Sequence, residues 1–133
     1  MKELVWDRSL SVEVEEIDAD HRRLVELFNL LVRAVAEGEA DDYVAALLEE
    51  LVSCTAWHFR HEERLMLRHA YPERDVHAQE HEALIAAARA LQQRFRESGE
   101  RLTEEAVVYL ESWLAEHILV ADMRLGAHLA NVM

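Results

Sequence analysis

Proline, glycine and cysteine are nearly missing from this 133-residue chain, which has one Pro, three Gly and one Cys. So few turn formers argue against the many tight reversals of an all-β fold, and aromatic residues, at 7%, do not supply a strand-rich composition either. The single Cys54 excludes an internal disulfide and fits a reducing compartment, so a cytoplasmic location is expected. Positive charge is outnumbered: 14 Lys and Arg against 27 Asp and Glu give a formal net charge of −13. That is the opposite of a footprint for nucleic acid or an anionic membrane. No apolar run reaches the length of a membrane span, and the opening MKELVWDRSL lacks the apolar core of a signal peptide. What remains is a chain with 51% hydrophobic and 31% charged residues, long enough for one domain with its own core. A single all-α domain over residues 1–133 is the expectation.

Four stretches have helical periodicity. The first, over about 18–37, places His21, Leu24, Phe28, Leu31 and Val35 on one seam, with Asp18 or Asp20 as the cap and Gly38 as the stop. The second, over about 42–69, runs through Val44, Leu47, Leu51, Cys54, His58, Glu62 and Leu65 after a cap at Asp41, and Tyr71-Pro72 breaks it. The third starts near Pro72 or Glu73, carries His77, His81, Leu84, Ala88, Leu91 and Phe95, and ends at Ser98-Gly99. The fourth begins after a Thr103 cap and carries Ala106, Leu110, Trp113 and His117. The connections are short, which predicts an up-down-up-down antiparallel four-helix bundle over residues 18–122. Residues 1–17 read as an extended arm that packs Trp6, Val12, Val14 and Ile17 on the bundle, and 123–133 as a C-terminal tail. The acidic surface favours a monomer.

All four seams carry histidine. Side chains four residues apart on a helix differ by only about 40° around the axis, so His58/Glu62 and His77/His81 each project as a pair. Burying such groups without partners costs on the order of 1–3 kcal/mol each, against a total domain stability of about 5–15 kcal/mol. They must therefore bond to one another or hold a cation. Their levels match: His21 and the His77/His81 pair lie near helix starts, whereas His58/Glu62 and His117 lie near helix ends. Antiparallel packing brings all of them to one end of the bundle. Imidazole suits Zn, Cu, Fe and Ni, and five His with carboxylates exceed the four ligands of one tetrahedral Zn. Two metal ions bridged by carboxylate use the set more economically. Asp122 supplies the second bridge, provided that a π-type widened turn brings it round, since five residues on an ideal helix separate side chains by about 140°.

The segments IDADH (17–21), HFRHEE (58–63), HAQEH (77–81) and HILVAD (117–122) together resemble the hemerythrin family, specifically its single-domain bacterial members. The family is a known instance of the up-down-up-down bundle. The resemblance implies a non-haem di-iron centre with an oxo or hydroxo bridge. It assigns His77, His81 and His117 to one iron, His21 and His58 to the other, and Glu62 and Asp122 to the bridges. It further implies reversible dioxygen binding, for carriage, storage or delivery, at the iron with fewer protein ligands. Trp113, Leu114 and Val120 would line the dioxygen pocket. Two positions depart from the family pattern: Asp20 stands where Gln is common, and Glu13 where a small residue is common. Asp20 reads as a solvent-facing residue, with a hydrogen bond to His21 as the alternative.

The remaining His read as structural: His61 on the surface, His69 at a helix end, His128 in the tail. Cys54 reads as an inert core thiol. The chain is not expected to be an enzyme, apart from low-level peroxidase or oxidase side activity. Alternative functions are an O2 or redox sensor, an iron-handling module, or a di-iron peroxidase or oxidase. The last is disfavoured because the Glu-x-x-His motif of ferritin-like di-iron enzymes is absent. An O2-consuming protein partner would complete a delivery role.

Overall fold

The computed structural model describes Trp6 and residues 8–133, so residues 1–5 and Asp7, part of the expected arm, lie outside the described residues. Four long helices follow a short 3-10 turn at Arg8–Leu10: α1 (Glu15–Ala36), α2 (Asp41–Arg68), α3 (Arg74–Ser98) and α4 (Glu104–His117). The chain then passes through a π-helical turn, Ile118–Asp122, into α5, Met123–Val132. α1 packs on α2 and α4, and α3 packs on α2 and α4, which is the cyclic neighbour pattern of an up-down-up-down bundle. No strand occurs among the described residues, and no helix is long and apolar enough to cross a membrane.

The helix stops follow local chemistry. Ala70 (φ 50°) turns left-handed after α2, and the Tyr71 N–H bonds back to the Met66 carbonyl at 3.0 Å. Gly99 (φ 67°) ends α3. The Thr103 hydroxyl accepts from the Ala106 N–H at 3.1 Å, as expected of the α4 cap. Two expected caps are displaced. Ala40 precedes α2, so Asp41 is its first residue. α1 begins a turn earlier than its seam indicated, after Val14, and neither Asp18 nor Asp20 caps it.

Asp18 has a different task. It is buried, and its carboxylate accepts from the Ser11 hydroxyl at 2.6 Å and from the Val12 N–H at 2.9 Å. The arm is thereby tied to the first turn of α1. Glu13, at φ 62°, makes the left-handed step between arm and helix, a conformation that costs a residue with a side chain about 1–2 kcal/mol.

Two apolar clusters result. The larger holds Leu24, Phe28 and Leu31 of α1, Leu48 and Leu51 of α2, Ala88 and Leu91 of α3, and Val107, Leu110 and Leu114 of α4. The smaller gathers Val12, Val14 and Ile17 with Leu65, Met66, Tyr71, Leu125 and Leu129. On α1 and α2 the boundary between the clusters falls at His21 and at His58–Glu62. The polar seam is thus closed off at both ends by apolar packing.

The expected C-terminal tail is helical and closes the smaller cluster. Gly126 lies within α5 against the arm, where an added Cβ would overlap the Val12 carbonyl and lie 2.7 Å from the Val12 Cβ. His128 is held too, its Nε2 bonded to the His69 carbonyl at 3.0 Å. Gly126→Ala is therefore expected to destabilise the protein by about 1–2 kcal/mol despite the better helix propensity of Ala. In a thermal melt that is a loss of about 4–8 °C, together with faster proteolysis of the arm.

Candidate metal centre

The layer between the clusters is built from one histidine of α1 (His21), a histidine and a glutamate of α2 (His58, Glu62), two histidines of α3 (His77, His81), the last residue of α4 (His117) and the last residue of the π turn (Asp122). None is more than 5% exposed. The i,i+4 spacing on α2 and α3 sets the paired side chains facing inward, as the periodicity predicts. The widened turn at Ile118–Asp122 is the predicted device that carries Asp122 to the same side as His117.

The two carboxylates divide the histidines between them. Glu62 presents Oε1 to the Nε2 atoms of His77 and His81, at 3.1 Å each, and Oε2 to the Nε2 atoms of His58 and His21, at 2.8 and 3.5 Å. Asp122 presents Oδ1 to His117 and His77, at 3.1 and 3.2 Å, and Oδ2 to His21 at 3.0 Å. The side chains thus form a group of five potential donors (Glu62, His77, His81, His117, Asp122) and a group of four (His21, His58, Glu62, Asp122), with both carboxylates common to the two.

These contacts do not satisfy the side chains that make them. Among the described residues, ten buried side-chain N and O atoms lack a hydrogen-bond partner, and all but Trp113 Nε1 belong to this layer. His58 Nε2 and Glu62 Oε2 lie 2.8 Å apart, yet neither is in hydrogen-bonding geometry. Lone pairs that converge without pointing at one another suit cations held between them. Oxygen and imidazole nitrogen donors in these numbers suit first-row divalent metals such as iron.

Charge in the metal-free centre follows from the same geometry. Burial opposes a charge on His58, but the Glu62 carboxylate beside it and the hydrogen bond to Asp20 outweigh it and push its pKa up to about 10. His77 is raised to about 9, where burial is outweighed by the Asp122 carboxylate beside it and by Glu62, to which it is hydrogen-bonded. His21 is raised in the same way. Burial and the Glu62 charge push Asp122 upward, but its imidazole partners prevail and draw it down to about 2. Glu62 is held well below its ordinary value, burial again being overcome, here chiefly by the charge of His58. Without metal, the Glu62 and Asp122 carboxylates are ionised and face protonated His58 and His77.

Several groups around the layer escaped the sequence reading. Phe59 is buried and stacks on His81, ring centres 3.8 Å apart and planes 4° apart. Glu63 accepts from His81 Nδ1 at 3.0 Å, and Glu80 lies 3.9 Å from His117 Nδ1. Asp20 is not a solvent-facing residue, nor does it bond His21: its Oδ2 lies 2.8 Å from His58 Nδ1 and 2.5 Å from His61 Nδ1. His61, expected on the surface, is mostly buried by this contact. Of the residues expected beside the site, Leu114 is buried and Trp113 partly buried, and both line a small apolar cavity with Phe28, Leu51, Thr55 and Leu110. Val120 lies on the other side of Trp113, which lines a second cavity with it. Val120 is 48% exposed, and this open cleft is also lined by Glu80, Tyr109 and His117. Ile118 and Asp122 take the inward positions of the π turn, which leaves Leu119 and Val120 outside.

Comparison with known proteins agrees with this arrangement. The family model described as "Hemerythrin HHE cation binding domain" matches residues 12–129. A bacteriohemerythrin of Pseudomonas paraeruginosa is 36% identical over 118 residues, covering 89% of this chain and 76% of that protein. A myohemerythrin of Riftia pachyptila is 30% identical over 125 residues, covering 94% and 92%. A wild-type hemerythrin crystal structure superposes with a TM-score of 0.88 over 96% of this chain and 98% of that one, at 23% identity, a likeness of fold. With the family model spanning both arm and α5, and with its cation-binding character met by the buried donors of four helices and a π turn, the chain belongs to the hemerythrin family.

Proposed function

We propose that the protein binds dioxygen reversibly at a non-haem di-iron centre, as a carrier, store or delivery protein rather than an enzyme. The observation that carries this reading is the way Glu62 and Asp122 each offer one oxygen to either histidine group. In this reading His77, His81 and His117 would hold one ion and His21 and His58 the other, with Glu62 and Asp122 available to both. When bound, the iron pair supplies the electrons and the exchangeable coordination position that reversible dioxygen uptake requires.

The chain's own residues do the rest. The His21/His58 group has one protein donor fewer than its neighbour, which directs exchange of a small ligand to that side. Trp113 and Leu114 wall a small apolar cavity one helical turn before His117, a lining that would favour a small uncharged molecule over bulk water. Among the described residues the buried acids are Asp18, tied to Ser11 and Val12, and the two central carboxylates, which leaves no further buried acid to assist O–O cleavage. A monomer working in a reducing, cytoplasmic setting, and supplying an O2-consuming partner, fits the acidic surface and the single Cys54.

An optical titration of anaerobic, ferrous-loaded protein with dioxygen tests this. The expected result is a new visible absorption band that appears with O2 and disappears on deoxygenation over repeated cycles. A single irreversible oxidation, or sustained turnover of peroxide, would place the protein among the di-iron oxidases or peroxidases instead.

A further inference from the structure

Outside the seven central side chains, one cluster has no role in the account so far. Asp20 of α1 lies between two histidines of α2, and its Oδ2 accepts from both Nδ1 atoms, at 2.8 Å from His58 and 2.5 Å from His61. On the far side, His61 Nε2 lies 3.8 Å from Glu16 near the surface. Asp20 and His61 keep only 14% and 17% of their side-chain surface exposed.

We infer that Asp20 is a positioning residue for His58, and that His61 is the second donor that fixes the Asp20 carboxylate in place. The inference rests on the di-iron reading. A hydrogen bond from Nδ1–H to a carboxylate fixes the tautomer of an imidazole, aims its Nε2 lone pair at the metal, and raises its basicity. The five histidines do not share this support equally. His21 Nδ1 and His117 Nδ1 are buried with no hydrogen-bond partner, Glu80 coming only within 3.9 Å of the latter, and the partner of His81, Glu63, is more than a third exposed. Among the described residues, His58 alone has at its Nδ1 a carboxylate that is mostly buried and itself anchored by another imidazole. Its strengthened donor belongs to the four-donor group, where ligand exchange is directed. The extra electron density there favours the oxidised state of the centre.

The test uses full-length protein loaded with Zn2+ or with iron. Asp20→Asn keeps the shape and removes the charge, Asp20→Glu keeps the charge, and His61→Ala removes the anchor. Asp20→Asn is expected to weaken Zn2+ binding about tenfold, to raise the reduction potential of the iron-loaded centre, and to weaken the His58 Nδ1–H signature in the NMR spectrum of the Zn2+ form. Asp20→Glu restores most of the affinity and potential, and His61→Ala shifts both in the same direction by less. Should Asp20→Asn fold poorly, His61→Ala carries the test. Unchanged affinity and potential in Asp20→Asn and His61→Ala, while wild-type protein binds two ions, would overturn this inference and leave the di-iron reading intact. Loss of a third ion in these variants would also overturn it, by making Asp20, His58 and His61 a metal site of their own. Failure of wild-type protein to hold two ions would instead end the di-iron reading.

Discussion

Chelating the metal from the protein is expected to lower its thermal midpoint by about 10 °C or more at pH 8. The reason lies in the atoms that no protein group satisfies. The donor atoms of His21, His58, Glu62, His81, His117 and Asp122 are buried at the heart of the bundle and lack hydrogen-bond partners. Metal ions bind that arrangement in the folded chain and have no comparable set of donors in the unfolded one. A ligand present at about 1,000 times its dissociation constant stabilises the folded state by about 4 kcal/mol, which for a chain of this size is on the order of 10–20 °C. Paired differential scanning calorimetry of metal-loaded and chelated protein checks it. Coincident melts would mean that the polar layer is satisfied without metal and that the centre is no structural element.

Metal affinity is expected to rise about 100-fold between pH 6.5 and 7.5, with release of about two protons per chain on loading. His58 and His77 have folded-state pKa values of about 10 and about 9, above the ordinary 6.5. Both are protonated in the metal-free protein over that interval, and each must lose its proton to become a ligand. The same shifts govern the stability of the metal-free form. A raised histidine pKa contributes stability that is complete below about pH 6.5 and is lost as pH rises through 9 and 10. Asp122, lowered to about 2 from an ordinary 3.8, contributes above its ordinary value and loses that contribution as pH falls toward 2. Metal-free protein is therefore most stable between about pH 4 and 6.5. The gap between its melt and that of the loaded form widens as pH rises from 6.5 to 9. Titration calorimetry in buffers of different ionisation enthalpy counts the protons. A pH-independent affinity would show that the imidazoles are neutral before metal arrives.

Six of the seven central residues were legible because each sits on a hydrophobic seam and all lie at one level once the helices alternate in direction; Asp122 lies off the seam and was reached through the π turn. Periodicity and loop length determine both. The π turn was legible as well, from the mismatch of a five-residue step with the pitch of an α-helix. Its side effect was not: bringing Asp122 inward put Ile118 inside and Val120 outside. The surrounding carboxylates were missed for a related reason. His61 is three residues from His58, so it falls about 60° off the seam, and Asp20 falls about 100° from His21. Each looks peripheral on its own helix, and only the meeting of α1 with α2 makes the pair a buried contact. Asp18 was mistaken for a cap because the return of the arm onto α1 leaves no periodic signal. Its contact is with Ser11 and Val12, seven and six residues back along the chain.

The central claim is that one chain gathers two iron ions between Glu62 and Asp122. Iron loading followed by metal analysis and an anomalous-difference map of the crystals tests it most directly. Two iron atoms per chain are predicted, with one peak among His77, His81 and His117, the other beside His21 and His58, and both carboxylates between them. A single iron, or two irons with Glu62 or Asp122 turned away from both, would contradict it.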